Sequence, residues 1–305
     1  MRIGAMVPLA YGDTEPGRAP TFAETLAFGR TAEAVGLDSI WVFDHLIFRA
    51  ADEPDEGLNE AWTTLSALAP VVPRVELGIL VMCSSFRNAG LLAKMAGTLD
   101  EISEGRLILG LGCGWHEPEY EAFGFPFDHR VGRFEEDIEV TTRLLRGETV
   151  TFDGQWSHYK AAALLPPPNR QPPILVASKG DRMLDLTAQW ADAWNTAWFG
   201  GVDEVERGRV AALDEACARV GRDPKTIRRT VGIRVREPGA PAQDGKSTDA
   251  DVAGLAEIFD EHAALGFADA VIWSLSKTSA ALERIGEARR IHLSRPTAAP
   301  TAGRA

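Results

Sequence analysis

An aspartate and a histidine, Asp44-His45, directly follow the apolar run Ser39–Phe43. At the end of a strand such a pair reaches an open barrel mouth. Imidazole exchanges a proton near neutral pH, and a carboxylate beside it can set its tautomer. The same two residues also suit a helix-capping Asp and a half-buried His. A second candidate is Ala177-Ser178-Lys179-Gly180, which leads into a helical stretch. Free N–H groups at a helix N-terminus, with a lysine beside them, suit a phosphate; a plain capped turn is the alternative. A third is Gly110-Leu111-Gly112-Cys113-Gly114-Trp115. Closely spaced glycines let a backbone approach a flat ligand, or allow close helix–strand packing. Cys113 has no cationic neighbour in sequence and reads as an inert small residue. Cys83-Ser84-Ser85-Phe86-Arg87-Asn88 is either a ligand-facing or a plain polar loop. Met6, Trp194, Trp198 and Trp273 stand near strand ends, as pocket walls or as core. Arg130, Arg133, Glu135 and Glu136 read as a salt-bridge set. The six histidines are scattered and form no H-x-H or H-E-x-x-H, so no metal centre is expected; His116 and His129 flank one loop. There is no G-x-S-x-G for an esterase.

The elements that must position these residues alternate. Apolar runs at Arg2–Pro8, Ser39–Phe43, Val75–Val81, Leu107–Leu111, Ile174–Ala177, Ala193–Thr196, Thr230–Val235 and Ala270–Trp273 read as strands buried on both faces. Helical stretches fall between them: Thr21–Val35, Glu60–Val71, Leu91–Ile102, Arg133–Leu145, Arg182–Trp190, Asp203–Val220, Asp249–Leu265 and Ser279–Leu293. Gly36 and Gly266 suit helix C-termini. Eight such units predict an α/β protein, a (β/α)8 TIM barrel. The competing doubly wound sheet would carry G-x-G-x-x-G after its first strand; here the glycine run follows the fourth, and Trp115 stands at its last position. Arg49–Asn59 and Trp115–Val131 read as long loops on the strand C-terminal face. Thr149–Pro173 reads as an inserted β-hairpin with an Asp153-Gly154 turn and a Pro-rich run. Pro238–Thr248 reads as mobile. Residues 1–294 are expected to form one domain, and 295–305 a disordered tail.

Composition bounds the partners. The chain has 305 residues, 45% hydrophobic and 25% charged, in the globular range, with net charge −12 and pI near 5.1. That balance argues against nucleic acid or an anionic membrane as partner. No run of about 18 apolar residues suggests a membrane span. Three distant cysteines support neither a disulfide framework nor a zinc knuckle, and a reducing cytoplasm fits. The first residues read as a strand rather than a signal segment.

In this order, the residues resemble the bacterial luciferase-like monooxygenase superfamily across roughly residues 1–293. The most specific stretch is Leu91–Glu136, above all Thr98-Leu99-Asp100 with Ser103 and Gly105-Arg106, then Gly110 to Trp115, Glu119, Ala122-Phe123-Gly124, Arg130, Arg133 and Glu136. The resemblance implies a barrel binding FMN or the deazaflavin coenzyme F420 in its mouth. Trp41 through His45 is similar to the Asp-His phrase of the deazaflavin-dependent branch, where Asp44 and His45 would face the ring. A non-prolyl cis peptide would fall at Leu80-Val81. Gly112, Cys113 and Gly114 would edge the ring, and Ala177, Ser178, Lys179 and Gly180 would hold its phosphate.

Two departures narrow the expectation. Trp115 stands where the superfamily's sugar-phosphate dehydrogenases carry Glu, and Arg49 where they carry an aromatic. Luciferase's Glu-His-His phrase is here Asp44-His45-Leu46, with Gly112 in place of its cysteine. The expected activity is therefore hydride transfer between coenzyme F420 and a small organic substrate. His45 would relay the proton, oriented by Asp44, with Met6, Arg49, Trp115, Trp194 and Trp198 around the substrate. The alternatives are an FMN-dependent monooxygenase using oxygen and a separate reductase, closed by 49–59 or 238–248, and a flavin-binding protein without turnover. A homodimer follows from the resemblance alone.

Overall fold

A computed structural model of the chain describes residues 1–50, 54–241 and 246–295. The expected tail beyond Arg295, residues 51–53 of the 49–59 loop and residues 242–245 of the 238–248 loop lie outside the described residues.

Eight parallel strands close on themselves in sequence order. They are β1 (Arg2–Met6), β2 (Ser39–Val42), β3 (Glu76–Ile79), β4 (Leu107–Gly112), β5 (Ile174–Ala177), β6 (Ala193–Phe199), β7 (Arg228–Val235) and β8 (Asp269–Ser274). The register runs Gly4 to Ser39, Ser39 to Glu76, and Leu77 to Leu107 between the first four strands. Ile174 pairs with Leu109, and Arg2 with Asp269, which closes the ring. Every residue of β2 and β4 is buried, because the helices cover the face turned away from the barrel axis. The major helices are α1 (Phe22–Ala34), α2 (Ala61–Leu68), α3 (Ala89–Ile102), α4 (Arg130–Leu145), α5 (Asp181–Trp190), α6 (Glu204–Arg219), α7 (Val252–Ala264) and α8 (Ser279–Ser294). The (β/α)8 expectation holds, with element ends within about three residues, the usual scatter at helix and strand ends. Gly36 and Gly266 take positive φ (88° and 93°) behind α1 and α7 as expected of helix C-termini.

Inside the barrel, Trp41 is 1% exposed and its indole N–H donates to Ser39 Oγ at 2.8 Å. A Cβ on Gly78 would stand 2.1 Å from that ring, so Gly78 makes room for the tryptophan. At the N-terminal ends of the strands, Arg2, Glu76, Arg228 and Asp269 form an ion-pair ring that closes the floor. Arg106, just before β4, donates to the carbonyls of Ala69, Val72 and Val75 and so fastens the end of α2 to the same floor.

Three insertions depart from a plain loop reading. Ile47–Phe48 pairs with Glu56–Gly57 as a short antiparallel ribbon after β2. The aromatic segment after β4 contains a helix, Glu117–Phe123, with Pro118 and two glutamates in its first turn and Gly124 (φ 75°) after its end. The hairpin Val150–Asp153/His158–Ala162 is present, but its turn is wider than an Asp-Gly pair. Asp153 faces His158, and the N–H groups of Gln155, Trp156 and Ser157 all donate to the Glu136 carboxylate of α4, which holds the four-residue loop open. At the end of the 238–248 segment, Ser247–Thr248 pairs in parallel with Arg234–Val235 of β7.

Candidate active site

A cavity of about 740 Å3 opens at the C-terminal ends of the strands. Its size suits a cofactor-sized ligand. Asp44, His45, Leu80, Val81, Gly112, Cys113, Gly114, Trp115, Ala177, Ser178, Lys179, Gly180 and Trp198 all line it. The sequence-expected Met6, Trp194 and Arg49 do not. Met6 and Trp194 are fully buried; Trp194 donates its indole N–H to Ser178 O and lies parallel to Phe267. Their strand positions turn them toward the core instead of the mouth. Arg49 pairs with Asp55 across the short ribbon. The aromatic beside the histidine comes one residue earlier: the Phe48 ring lies 4.4 Å from that of His45. Trp115 stands on the rim, 65% exposed, edge-on to His45 at 5.5 Å.

The histidine is held by a residue other than the one expected. The Asp44 carboxylate makes no hydrogen bond to His45. It accepts from Cys83 N at 2.9 Å and from both terminal nitrogens of Arg87 (2.7 and 3.2 Å), and Arg87 reaches on to Glu60 at 2.6 Å. Burial pushes the Asp44 carboxyl above its ordinary range, against the opposing pull of the Arg87 guanidinium. The partner of His45 Nδ1 is Glu119 Oε1 at 3.0 Å; Glu119 Oε2 takes the N–H of Leu46 at 2.9 Å. Glu119 is 1% exposed. An ionised carboxylate only accepts, so Nδ1 carries the imidazole hydrogen, and Nε2 is the nitrogen that Glu119 leaves for the cavity. Adjacency in sequence misleads here because successive residues leaving a strand point to opposite sides. The clue to Glu119 was its place in the acidic start of a Pro-led helix.

The floor and walls are built by backbone. The Leu80-Val81 peptide is cis, where the resemblance placed it, and Ala197-Trp198 is a second non-prolyl cis peptide. Trp198 stands edge-on to Trp273 (5.0 Å, 85°), and Trp273 stacks on Phe43 (5.5 Å, 16°). A Cβ on Gly232 would come within 2.6 Å of Trp198, so that glycine clears the indole's place. The glycines of the β4 run answer to protein packing. A Cβ on Gly110 would lie 1.8 Å from the Ile79 carbonyl, and one on Gly112 2.7 Å from Val81. Gly114, at φ 73°, would strike the Tyr120 hydroxyl. Burial raises the Cys113 thiol, more than Arg130 lowers it, so it is no ready nucleophile.

On the opposite wall α5 begins at Gly180 with no side chain capping its first N–H groups, and a Cβ there would meet nothing within 4 Å. Ser178 Oγ is committed to Thr187 Oγ1 at 2.8 Å, so an anion at this corner would rely on backbone N–H groups and Lys179. Burial lowers the Lys179 pKa, helped by repulsion from Arg209 and Lys246. The four charges from the start of α4 behave as a structural set. Arg133 pairs with Asp128, Glu135 with Arg182, Glu136 holds the hairpin, and Arg130 lies over Phe127. No cluster of three or more His, Cys, Asp or Glu able to hold a metal occurs among the described residues. No helix among them is long and apolar enough to cross a membrane.

A closed eight-strand barrel with a deep, aromatic-walled cavity at its C-terminal mouth defines the class as a (β/α)8 barrel with its site where barrel enzymes keep theirs. Residues 1–237 match the sequence profile of the luciferase-like monooxygenase family, and the chain belongs to that family. It is similar to a phthiodiolone/phenolphthiodiolone dimycocerosates ketoreductase of Mycobacterium kansasii, with 34% identity over 64% of this chain and 58% of the relative. It is also similar to an F420-dependent glucose-6-phosphate dehydrogenase of Kineococcus radiotolerans, with 30% identity over 72% of this chain and 66% of the relative. The chain thus spans about three-fifths to two-thirds of these relatives' lengths. Among solved structures, an F420-dependent secondary alcohol dehydrogenase in complex with an F420-acetone adduct superposes with a TM-score of 0.76, at 17% identity over 94% of this chain and 97% of that one. That likeness is one of fold.

Proposed function

We propose that this protein is an oxidoreductase that binds coenzyme F420 in the barrel mouth and transfers a hydride between it and a small carbonyl or alcohol substrate. The observation that carries the reading is His45, held through Nδ1 by the buried Glu119 at the wall of the cavity. Two relatives bearing reductase or F420-dependent dehydrogenase names support it. The residues present fit the coenzyme. The flat ring has apolar walls in Leu80, Val81, Trp198 and Trp273, and the phosphate has the uncapped start of α5 with Lys179 beside it.

When bound, the deazaflavin supplies or accepts the hydride; the chain supplies position and the proton. His45 Nε2 takes the proton from an alcohol, or returns it to the oxygen of a carbonyl, while Glu119 keeps the tautomer and compensates the imidazolium charge. Phe48 and Trp115 pack on the imidazole and limit water at the reacting centre. Asp44 acts at one remove: with Arg87 it fixes the backbone that carries Cys83 beside the cis wall.

Titration with coenzyme F420 and, separately, FMN tests the reading, following the fluorescence of each. Saturable binding of the deazaflavin with weak FMN affinity is expected, followed by oxygen-independent oxidation or reduction of the bound coenzyme by simple alcohols or ketones. Preference for FMN with oxygen consumption would overturn it in favour of a monooxygenase.

A further inference from the structure

The cavity does not end at Lys179. A second basin of about 670 Å3 continues from it, and Lys179, Ala197, Trp198 and Arg234 stand on the wall common to both. The second basin differs in character. Beyond the partition it is bounded by the Phe199–Asp203 turn, Arg209 and Lys246. Of its two carboxylates, Asp203 caps α6 through Glu206 N and attracts Arg209 only from beyond ion-pair distance, and Asp249 pairs with Arg236. Arg209 donates to neutral oxygens, Thr196 Oγ1 (2.8 Å) and Ala197 O (3.1 Å). Among the described residues no carboxylate lies within ion-pair distance of Lys179 or Arg209. Lys179 and Arg209 thus bring to the basin positive charge that has no carboxylate at ion-pair distance among the described residues, immediately past the corner suited to a phosphate.

We infer that this basin binds the anionic tail of the coenzyme, the chain of glutamates that follows its phosphate. The inference rests on the function proposed above and extends it. The ring would occupy the apolar cavity, the phosphate the start of α5, and the tail carboxylates would run past Lys179 toward Arg209. That leaves the rim at Phe48 and Trp115 for the substrate. The tail then adds affinity by screened charge attraction, so its contribution depends on salt. Gly201 provides an independent handle: it lines the basin, and a Cβ there meets nothing within 4 Å, so Gly201→Glu adds a negative charge without removing a contact.

The test compares dissociation constants, read by deazaflavin fluorescence, for the coenzyme with two or more glutamates and for the form that ends at the phospholactate. Wild-type protein should bind the tailed form about tenfold more tightly at low salt, in line with charge-assisted contacts that salt weakens. Arg209→Gln and Gly201→Glu should each reduce that preference to about twofold or less, and in Gly201→Glu, which removes no contact, affinity for the tailless form should stay within about twofold. Equal affinity of wild type for both forms, with either bound well, overturns the tail assignment and leaves the proposed function standing. Failure of both forms to bind overturns the proposed function and this inference with it. A preference for the tail that survives both substitutions also overturns the assignment, because the tail would then be held elsewhere.

Discussion

Replacing Glu119 by Gln is the sharpest perturbation of the site, because it changes one atom and two hydrogen bonds. The carboxylate accepts from His45 Nδ1 at 3.0 Å and from Leu46 N at 2.9 Å, and it is 1% exposed. An amide has one acceptor and one donor end. If its oxygen keeps Leu46 N–H, its NH2 faces Nδ1, and the imidazole must move its hydrogen to Nε2. If its oxygen keeps Nδ1–H, two buried N–H groups face each other, at a cost of about 1–3 kcal/mol. The first arrangement satisfies every group, so the variant should fold with nearly unchanged stability and carry the opposite tautomer. Nitrogen-15 histidine spectra read this without a substrate, with the His45 signals assigned by their loss in His45→Gln. Wild type should show Nδ1–H, and Glu119→Gln should show Nε2–H. Once a substrate is found, turnover should fall by about 10²–10⁴-fold, the usual share of a positioned acid–base group. If Glu119→Gln keeps His45 in the Nδ1–H form with undiminished stability, the carboxylate does not set the tautomer and the reasoning fails.

Other consequences can be checked on stability alone. Arg87→Ala leaves Asp44 buried with only Cys83 N as a donor of the contacts it now has, and should cost about 3–5 kcal/mol in urea unfolding, with Arg87→Lys recovering part of it. Lys277 is buried, its ammonium donating to Met6 O, and burial lowers its pKa from 10.5 to about 8. Between those values the unfolded chain holds a proton that the folded protein does not, so wild-type stability should rise with pH across that window. The gain relative to Lys277→Met should reach about 3 kcal/mol; parallel profiles for the two proteins would show that Lys277 is not the cause. Gly110→Ala sets a methyl against the Ile79 carbonyl, and neither backbone can yield. It should cost at least the roughly 3 kcal/mol that marks severe overpacking, whereas Gly180→Ala should stay within about 0.5 kcal/mol in thermal unfolding.

The barrel was legible because its signals are local. Apolar runs of four to seven residues recur with helical stretches between them, and glycines mark where α1 and α7 stop. The positions of His45, Lys179 and Gly180 followed from the same frame, since a residue just past a barrel strand stands at the mouth. What failed was the assignment of partners. Asp44 lies beside His45 in sequence, yet a strand end sends neighbours to opposite sides, and Asp44 meets Arg87 from the next βα loop. Glu119 meets His45 across 74 residues, on a seven-residue helix that has too few turns for a periodic pattern. Met6 and Trp194 were misplaced for a related reason: a strand-end position does not say which way the side chain turns.

The phrase on which the resemblance rested most, Thr98 to Arg106, does no chemistry at the mouth. Arg106 ties the α2 terminus to the barrel floor, and Asp100 pairs with Arg170 from the Pro-rich run that leads into β5. Both contacts lie at the N-terminal ends of the strands, a full strand length from His45. Their effect on the site is indirect. With the floor pinned there, β4 and β5 hold their register, and that register brings the β4 glycines against Val81 and sets Gly180 at the open start of α5. Recognition of the family from that phrase therefore speaks to the barrel that carries the site, while the reaction rests on residues the phrase does not contain. The distinction has a physical basis: the guanidinium groups of Arg106 and Arg170 hold the floor through several directed hydrogen bonds each, to carbonyls and to a carboxylate, whereas the loops at the mouth that carry Trp115 and Arg49 stand outside the barrel's ladder and can vary without disturbing it.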